Sequence, residues 1–189
     1  DEEGADYDAV LKDAQEKGYA ERHPEADVEG YDACRKIAIL TSLVCGRQVD
    51  FEDIYTEGIT KITDTDFKYA RTLGTSIKLL ATSKNVNGNI YAMVSPVMIG
   101  KKHPLYSVRD VFNAVFVNGN MLGDAMFYGK GAGKLPTASA VVADVVEETK
   151  HAGENIGIQW QPQKQDIADY KEKPHRVFVR IRDTVSKAH

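Results

Sequence analysis

The sequence predicts an α+β chain in which a mixed, largely antiparallel sheet carries helices mainly on one of its faces. Two observations lead there. Before Gly74 the apolar residues recur at helical spacing, whereas the middle of the chain switches to short runs rich in β-branched and aromatic residues. Two Asn-Gly pairs, Asn87-Gly88 and Asn118-Gly119, fall between such runs, and this dipeptide suits the tight turns of antiparallel hairpins.

In order, Tyr7 to Glu16 reads as a short amphipathic helix, with Val10, Leu11 and Ala14 on one face and Gly18 as its stop. Tyr19 to Gly30 is a polar connection. A second helix runs from Tyr31 to Cys45 and ends at Gly46. Thr63 or Asp64 can cap a third, Thr65 to Leu73, closed by Gly74. The expected strands are Thr75 to Thr82, Asn89 to Val97, Phe112 to Asn118 and Met121 to Tyr128. Pro96 marks an edge, a bulge or a strand end, because proline cannot donate to a ladder. A glycine-rich turn, Gly129 to Gly133, leads into a helix from Pro136 to Thr149. Gly153 to Pro174 has weak periodicity and reads as an ordered crossing or a linker, and Arg176 to Ile181 as one more strand.

At 189 residues and 42% hydrophobic, the chain has the material for one good core. Its mean hydropathy of -0.38 is that of an ordinary globular domain. No run approaches the roughly 20 apolar residues that cross a bilayer. A net charge of -4 argues against a nucleic-acid partner, since phosphate-binding surfaces show an excess of Lys and Arg. Cys34 and Cys45 form no CxxC pair and fall in one apolar segment, which reads as buried thiols in a reducing cytoplasm. The five histidines make no metal-binding spacing, so no protein-bound metal is expected, and His103 before Pro104 reads as a turn residue. The chain opens on Asp1 without Met, from which an upstream segment is expected.

The polar residues from Tyr19 to Lys36 carry the most chemistry. A helical wheel of Tyr31 to Cys45 gathers Ala33, Ile37, Ile39, Leu40, Leu43 and Val44 on one apolar arc. Lys36 falls near its middle and Asp32 just inside its edge, whereas Arg35, Ala38, Thr41 and Ser42 face elsewhere. A lysine on a buried face needs a partner, and Asp32 lies four residues before it. Two readings stay open: a helix-start ion pair whose Lys36 reaches water along its stem, or a proton donor and acceptor for a small substrate. Glu21, Glu25, Asp27 and Glu29 could favour the helix dipole or grip the ammonium group of an amino acid.

The string Gly18-Tyr19-Ala20-Glu21, Pro24, Asp27-Val28-Glu29-Gly30, Asp32 and Arg35-Lys36 resembles the GYAExxPxxDVxGxDxxxK segment of homoserine dehydrogenases. The resemblance continues through Glu57-Gly58-Ile59, Asp66 to Leu73, Ile77-Lys78-Leu79, Val94-Ser95-Pro96, His103-Pro104-Leu105 and Asn113-Ala114-Val115. It is strongest from Tyr128 to Val141 and covers Leu11 to Glu148 in family order.

The resemblance implies a reversible NAD(P)-dependent oxidation of L-homoserine to L-aspartate 4-semialdehyde, a step toward threonine, methionine and isoleucine. Glu21 and Asp27 would bind the substrate amino group and Tyr19 would line the pocket. Asp32 would stand beside the reacting end, and Lys36 would help move the hydroxyl proton. The backbone of Gly131, Ala132 and Gly133 would form one wall of the cofactor site, with NAD(P) held mainly by an upstream domain outside this chain. Residues 1–150 would then be a catalytic domain without its cofactor domain, largely inactive alone. Residues 151–189 would be a C-terminal extension, with the linker and first strand of a truncated regulatory module of ACT type. The expected partner is a second copy meeting through the central sheet. From the residues alone, a noncatalytic amino-acid-binding module or an oligomerisation module fits the same pattern. The helix from Pro136 should expose Val141, Val142, Val145 and Val146 unless another domain covers them.

Overall fold

The computed structural model describes residues 7–16, 25–131, 133–154, 157, 160–172 and 174–181. Five helices lie among them: α1 (Tyr7–Glu16), α2 (Glu25–Val28), α3 (Tyr31–Cys45), α4 (Asp64–Thr72) and α5 (Lys134–Lys150). The strands are β1 (Tyr55–Thr56), β2 (Thr75–Val86), β3 (Asn89–Gly100), β4 (Phe112–Gly119) and β5 (Gly123–Lys130). They form a three-stranded sheet in the order β1-β3-β2 and a separate two-stranded ladder, β4-β5. The β2–β3 and β4–β5 pairs are antiparallel and the short β1 runs parallel to β3. The architecture is the mixed fold with helices alongside that the sequence predicts.

Period-two alternation on β3 points Ile90, Ala92 and Val94 to the face on which α3 lies. Cys34 and Ala38 of α3 meet Ala92 and Val94 there, joined by Val49, Ile54, Leu79, Ala81 and Ile167. Val94 has no exposed surface, and its burial contributes on the order of 2 kcal/mol. At Asn87-Gly88 both φ angles are positive (53° and 89°), the geometry that a tight β2–β3 turn demands. Pro96 sits two residues past the last β1 pairing, at Val94, where β3 has lost its neighbour on that side.

Several expectations change. The wheel of α3 assigned its inward side wrongly: the buried residues are Cys34, Ala38, Thr41 and Ser42. Small side chains let the helix axis approach the sheet, and both hydroxyls are satisfied by the carbonyls four residues back, at 2.7 Å. Ser42 Oγ also accepts from Val49 N at 2.9 Å. Ile39, Leu40, Leu43 and Val44 are consequently exposed, and Lys36 with them.

Asn118-Gly119 is not a turn. Those residues pair with Asp124 and Gly123, and the chain reverses over 120–122, with left-handed φ at Gly123. Residues 174–181 form no strand, because no described strand pairs with them. Phe178 instead lies beside Tyr69, ring centroids 5.9 Å apart, and Arg180 Nη1 donates to Asp66 Oδ2 at 2.7 Å. The preceding stretch is an ordered crossing where it is described, bridging Arg47 to Gln161 and Ile90 to Ile167.

Asp66 is buried in the first turn of α4, where Thr63 N and Thr63 Oγ1 both donate to its Oδ2 at 2.8 Å. Burial opposes its ionisation, but these hydrogen bonds and the Arg180 charge outweigh it and lower the pKa. A lowered folded-state value means that Asp66 adds stability above the ordinary carboxylate range, about pH 4, which disappears as pH falls through the lowered value. Asp66→Asn is expected to reduce the Tm at neutral pH. That difference should shrink to nothing in acid, as thermal unfolding across pH would measure.

Candidate active site

Two glycines assemble the region around Lys36. Gly30, with φ 79°, turns the chain from α2 into α3 and lies over the sheet beside Val94 and Thr56. Gly58 is buried, and a Cβ there would come within 2.3 Å of Val28 O and 2.4 Å of Glu29 Cα. Ile59 N donates to Val28 O at 2.7 Å and Glu57 N to Val94 O at 2.8 Å. Residues 57–59 are therefore a seat on which the end of α2 rests. That gives the Glu57-Gly58-Ile59 string its physical reason.

On this frame α2 presents Glu25 and Asp27, and α3 presents Asp32 and, one turn later, Lys36. Lys36 Nζ and Asp32 Oδ2 are 2.5 Å apart, with side chains 70% and 46% exposed. Held in water, such a pair contributes about 1 kcal/mol or less to folding. Its setting is the notable feature: Leu40 and Leu43 follow Lys36 at helical spacing and Ile39 flanks them, so the cation stands at one end of an uncovered apolar stripe. Tyr19 and Glu21 lie outside the described residues.

At the glycine turn, β5 runs on to Lys130 and α5 begins at Lys134, two residues ahead of Pro136. Gly131 N donates to Val111 O, and a Cβ at Gly131 would fall 2.2 Å from Asn113 Nδ2. Gly133 caps α5 with φ 111°. Ala132 lies outside the described residues. Gly133, Lys134, Thr137, Ala138, Val141 and Val142 border an open depression of about 620 Å³. Asp27, Asp32 and Lys36 do not line it. Val141, Val142, Val145 and Val146 of α5 are exposed, as expected.

His103 is a turn residue: its Nδ1 accepts from Leu105 N at 3.2 Å and caps a 3₁₀ turn, Pro104–Ser107. Both cysteines are free thiols. Cys34 is buried against Phe51 O, and partial burial raises the pKa of Cys45. One cluster escaped the sequence reading. Tyr55 Oη donates to Glu57 Oε2 at 3.1 Å, and the Tyr170 ring lies 4.3 Å from that of Tyr55. Partial burial, with the Glu57 carboxylate beside it, pushes the Tyr55 phenol up to about 12. Only the tyrosine two residues before Glu57-Gly58-Ile59 could have signalled it.

Residues 1–146 match the family profile described as homoserine dehydrogenase. The chain belongs to the homoserine dehydrogenase family. It is similar to the homoserine dehydrogenase of Synechocystis, with 52% identity over 148 residues, 76% of this chain and 34% of that one. With the Bacillus subtilis homoserine dehydrogenase it shares 39% identity over 185 residues, 94% of this chain and 43% of the relative. Among solved structures, the homoserine dehydrogenase of Thiobacillus denitrificans superposes with a TM-score of 0.75 at 40% identity, over 89% of this chain and 40% of that one. The Staphylococcus aureus enzyme at pH 6.5 gives 0.71 at 42% identity, over 78% and 38%. The chain thus spans less than half the length of these family members. No described helix is long and apolar enough to cross a membrane.

Proposed function

We propose that this chain is the substrate-handling portion of an oxidoreductase that interconverts L-homoserine and L-aspartate 4-semialdehyde. The observation that carries the reading is the Asp32–Lys36 pair at 2.5 Å, set at the end of an uncovered apolar stripe and directly after the α2 carboxylates. In oxidation, the neutral Lys36 amine takes the proton of the substrate hydroxyl as its O–H bond breaks, and Asp32 holds the resulting ammonium. In reduction, the ammonium hydrogen-bonds the aldehyde oxygen and returns its proton as alkoxide character develops. Asp27, with Glu21 and Tyr19, receives the amino-acid end of the substrate. A segment covering Ile39, Leu40 and Leu43 would exclude water from the surroundings of Lys36.

NAD(P), when bound, supplies the hydride acceptor or donor at the carbon bearing the reacting oxygen. Gly131, Ala132 and Gly133 would form one wall for it. Bare backbone opens α5 at Gly133, and the close Asn113 amide leaves Gly131 no room for a side chain, which fits a surface pressed against a flat ligand. The rest of the cofactor would be held by a segment outside this chain. The reading places the protein in the cytoplasm as a homodimer meeting through its strands, and exposed Val115, Val117 and Phe127 on the β4–β5 hairpin favour association.

The test joins this chain to the part of the Bacillus subtilis relative that it does not match and follows homoserine-dependent NAD(P)H formation. Turnover is expected in the joined protein and little or none in the chain alone. Near-full activity of the chain alone would overturn the assignment of the cofactor site. Homoserine binding without turnover in the joined protein would favour a noncatalytic amino-acid-binding module.

A further inference from the structure

The described residues beyond 160 follow the family-matched region, yet they hold several of its elements at once. Gln161 N donates to Gly46 O at 2.9 Å, and Arg47 Nε returns a bond to Gln161 Oε1 at 2.7 Å. Lys164 Nζ reaches Asp50 Oδ2 at 3.2 Å. Ile167 packs against the core, and Ala168 N donates to Ile90 O at 2.8 Å, parallel to β3 on the strand edge that β1 leaves open. The segment is fixed at this point, and the 3₁₀ turn Tyr170–Glu172 follows two residues later. Lys171 N donates to Asp169 Oδ1 at 2.9 Å and Glu172 N to Asp169 O at 3.0 Å, so the turn that aims Tyr170 has its own hydrogen bonds. The His175 ring, 6.0 Å away, stands beside the Tyr170 ring.

We infer that Tyr170 is a positioning residue for the substrate-binding Asp27, acting through Tyr55, Glu57 and Gly58 on the seat of α2. The chain of contacts is continuous. Tyr170 lies over Tyr55 at 4.3 Å, Tyr55 Oη donates to Glu57 Oε2, and Glu57 N is held by Val94 O. Glu57 is thereby fixed at both ends, and the next two residues carry the close contact with Val28 and Glu29. A shift at Tyr55 is passed to α2 because Gly58 packs on it backbone to backbone, with no side chain to absorb movement. β1 is only two residues long, too short to hold Tyr55 by its ladder alone. An aromatic partner adds about 1 kcal/mol at that point. The role of Asp27 in this inference rests on the function proposed above; the mechanical link does not.

Hydrogen–deuterium exchange on the chain itself, without ligand, tests the link. In Tyr170→Ala, the Ile59 and Gly30 amides, which donate to Val28 O and Asp27 O, are expected to exchange about three- to tenfold faster. The β2–β3 ladder should be unchanged, and Tyr170→Phe should keep both protections. Unchanged exchange at Ile59 and Gly30, or equal acceleration throughout the ladder, would overturn it. A second arm uses the joined protein described above. There Tyr170→Ala should raise KM for homoserine severalfold with kcat nearly constant, and a lowered kcat at constant KM would refute the positioning role. Absence of turnover in the unmutated joined protein would count against the proposed function alone, and the exchange arm would still decide the link.

Discussion

Lys36→Ala, made in the joined protein proposed above, is expected to lower kcat about a thousandfold while KM for homoserine changes little. The amine is the one group here proposed to touch the reacting oxygen, and substrate binding is assigned to other residues. Lys36→Arg should fail to rescue. It keeps the charge and the partner at Asp32, but a guanidinium does not give up its proton near neutral pH, so the oxidation has no base. Asp32→Asn should leave more activity than either, since it removes the support of the ammonium and spares the amine. Steady-state kinetics of the three variants check this. A Lys36→Ala enzyme with kcat within a few fold of the parent would remove lysine from the mechanism.

Gly58→Ala is expected to give the largest stability loss from a single added methyl. Its Cβ meets the Val28 carbonyl oxygen and Glu29 Cα, and backbone cannot rotate aside as a side-chain end could. The strain amounts to about 3 kcal/mol, and urea unfolding would register it as a lower midpoint. Gly46→Ala is the contrasting case. Gly46 has φ 63° and nothing within 4 Å of a would-be Cβ, so only left-handed strain is imposed, about 1 kcal/mol. Equal losses at the two positions would mean that residues 57–59 do not seat α2 tightly. Because the collision falls at the end of α2, homoserine binding should weaken with Gly58→Ala and be untouched by Gly46→Ala.

Local signals were legible where one residue type decides the backbone. Gly46 and Gly74 end α3 and the α4 turn at positive φ, and Asn87-Gly88 turns β2 into β3, because few other residues occupy those conformations cheaply. The inward face of α3 was not legible. A hydrophobic wheel assumes that the largest apolar residues are buried, whereas α3 approaches its sheet through Cys34, Ala38, Thr41 and Ser42 and leaves Leu40 and Leu43 outward. The alternation Val177, Val179, Ile181 has the composition of a strand, but a strand also needs a neighbour, and propensity does not supply one. At the candidate site, the Asp32–Lys36 pairing followed from spacing alone. The Tyr55–Tyr170 ring contact joins residues more than a hundred positions apart, which no local pattern encodes.

The β4–β5 ladder stands apart from the three-stranded sheet, with its own stack of Phe112 on Tyr128, 4.8 Å between ring centroids and 7° between planes. At its tip, Met121 is 92% exposed and Leu122 79%. Changes of length or residue type at that tip are expected to leave the packing beneath α3 as it is. The tip of this arm can therefore change, acquiring new contacts outside the chain, while the lysine-bearing half stays as it is.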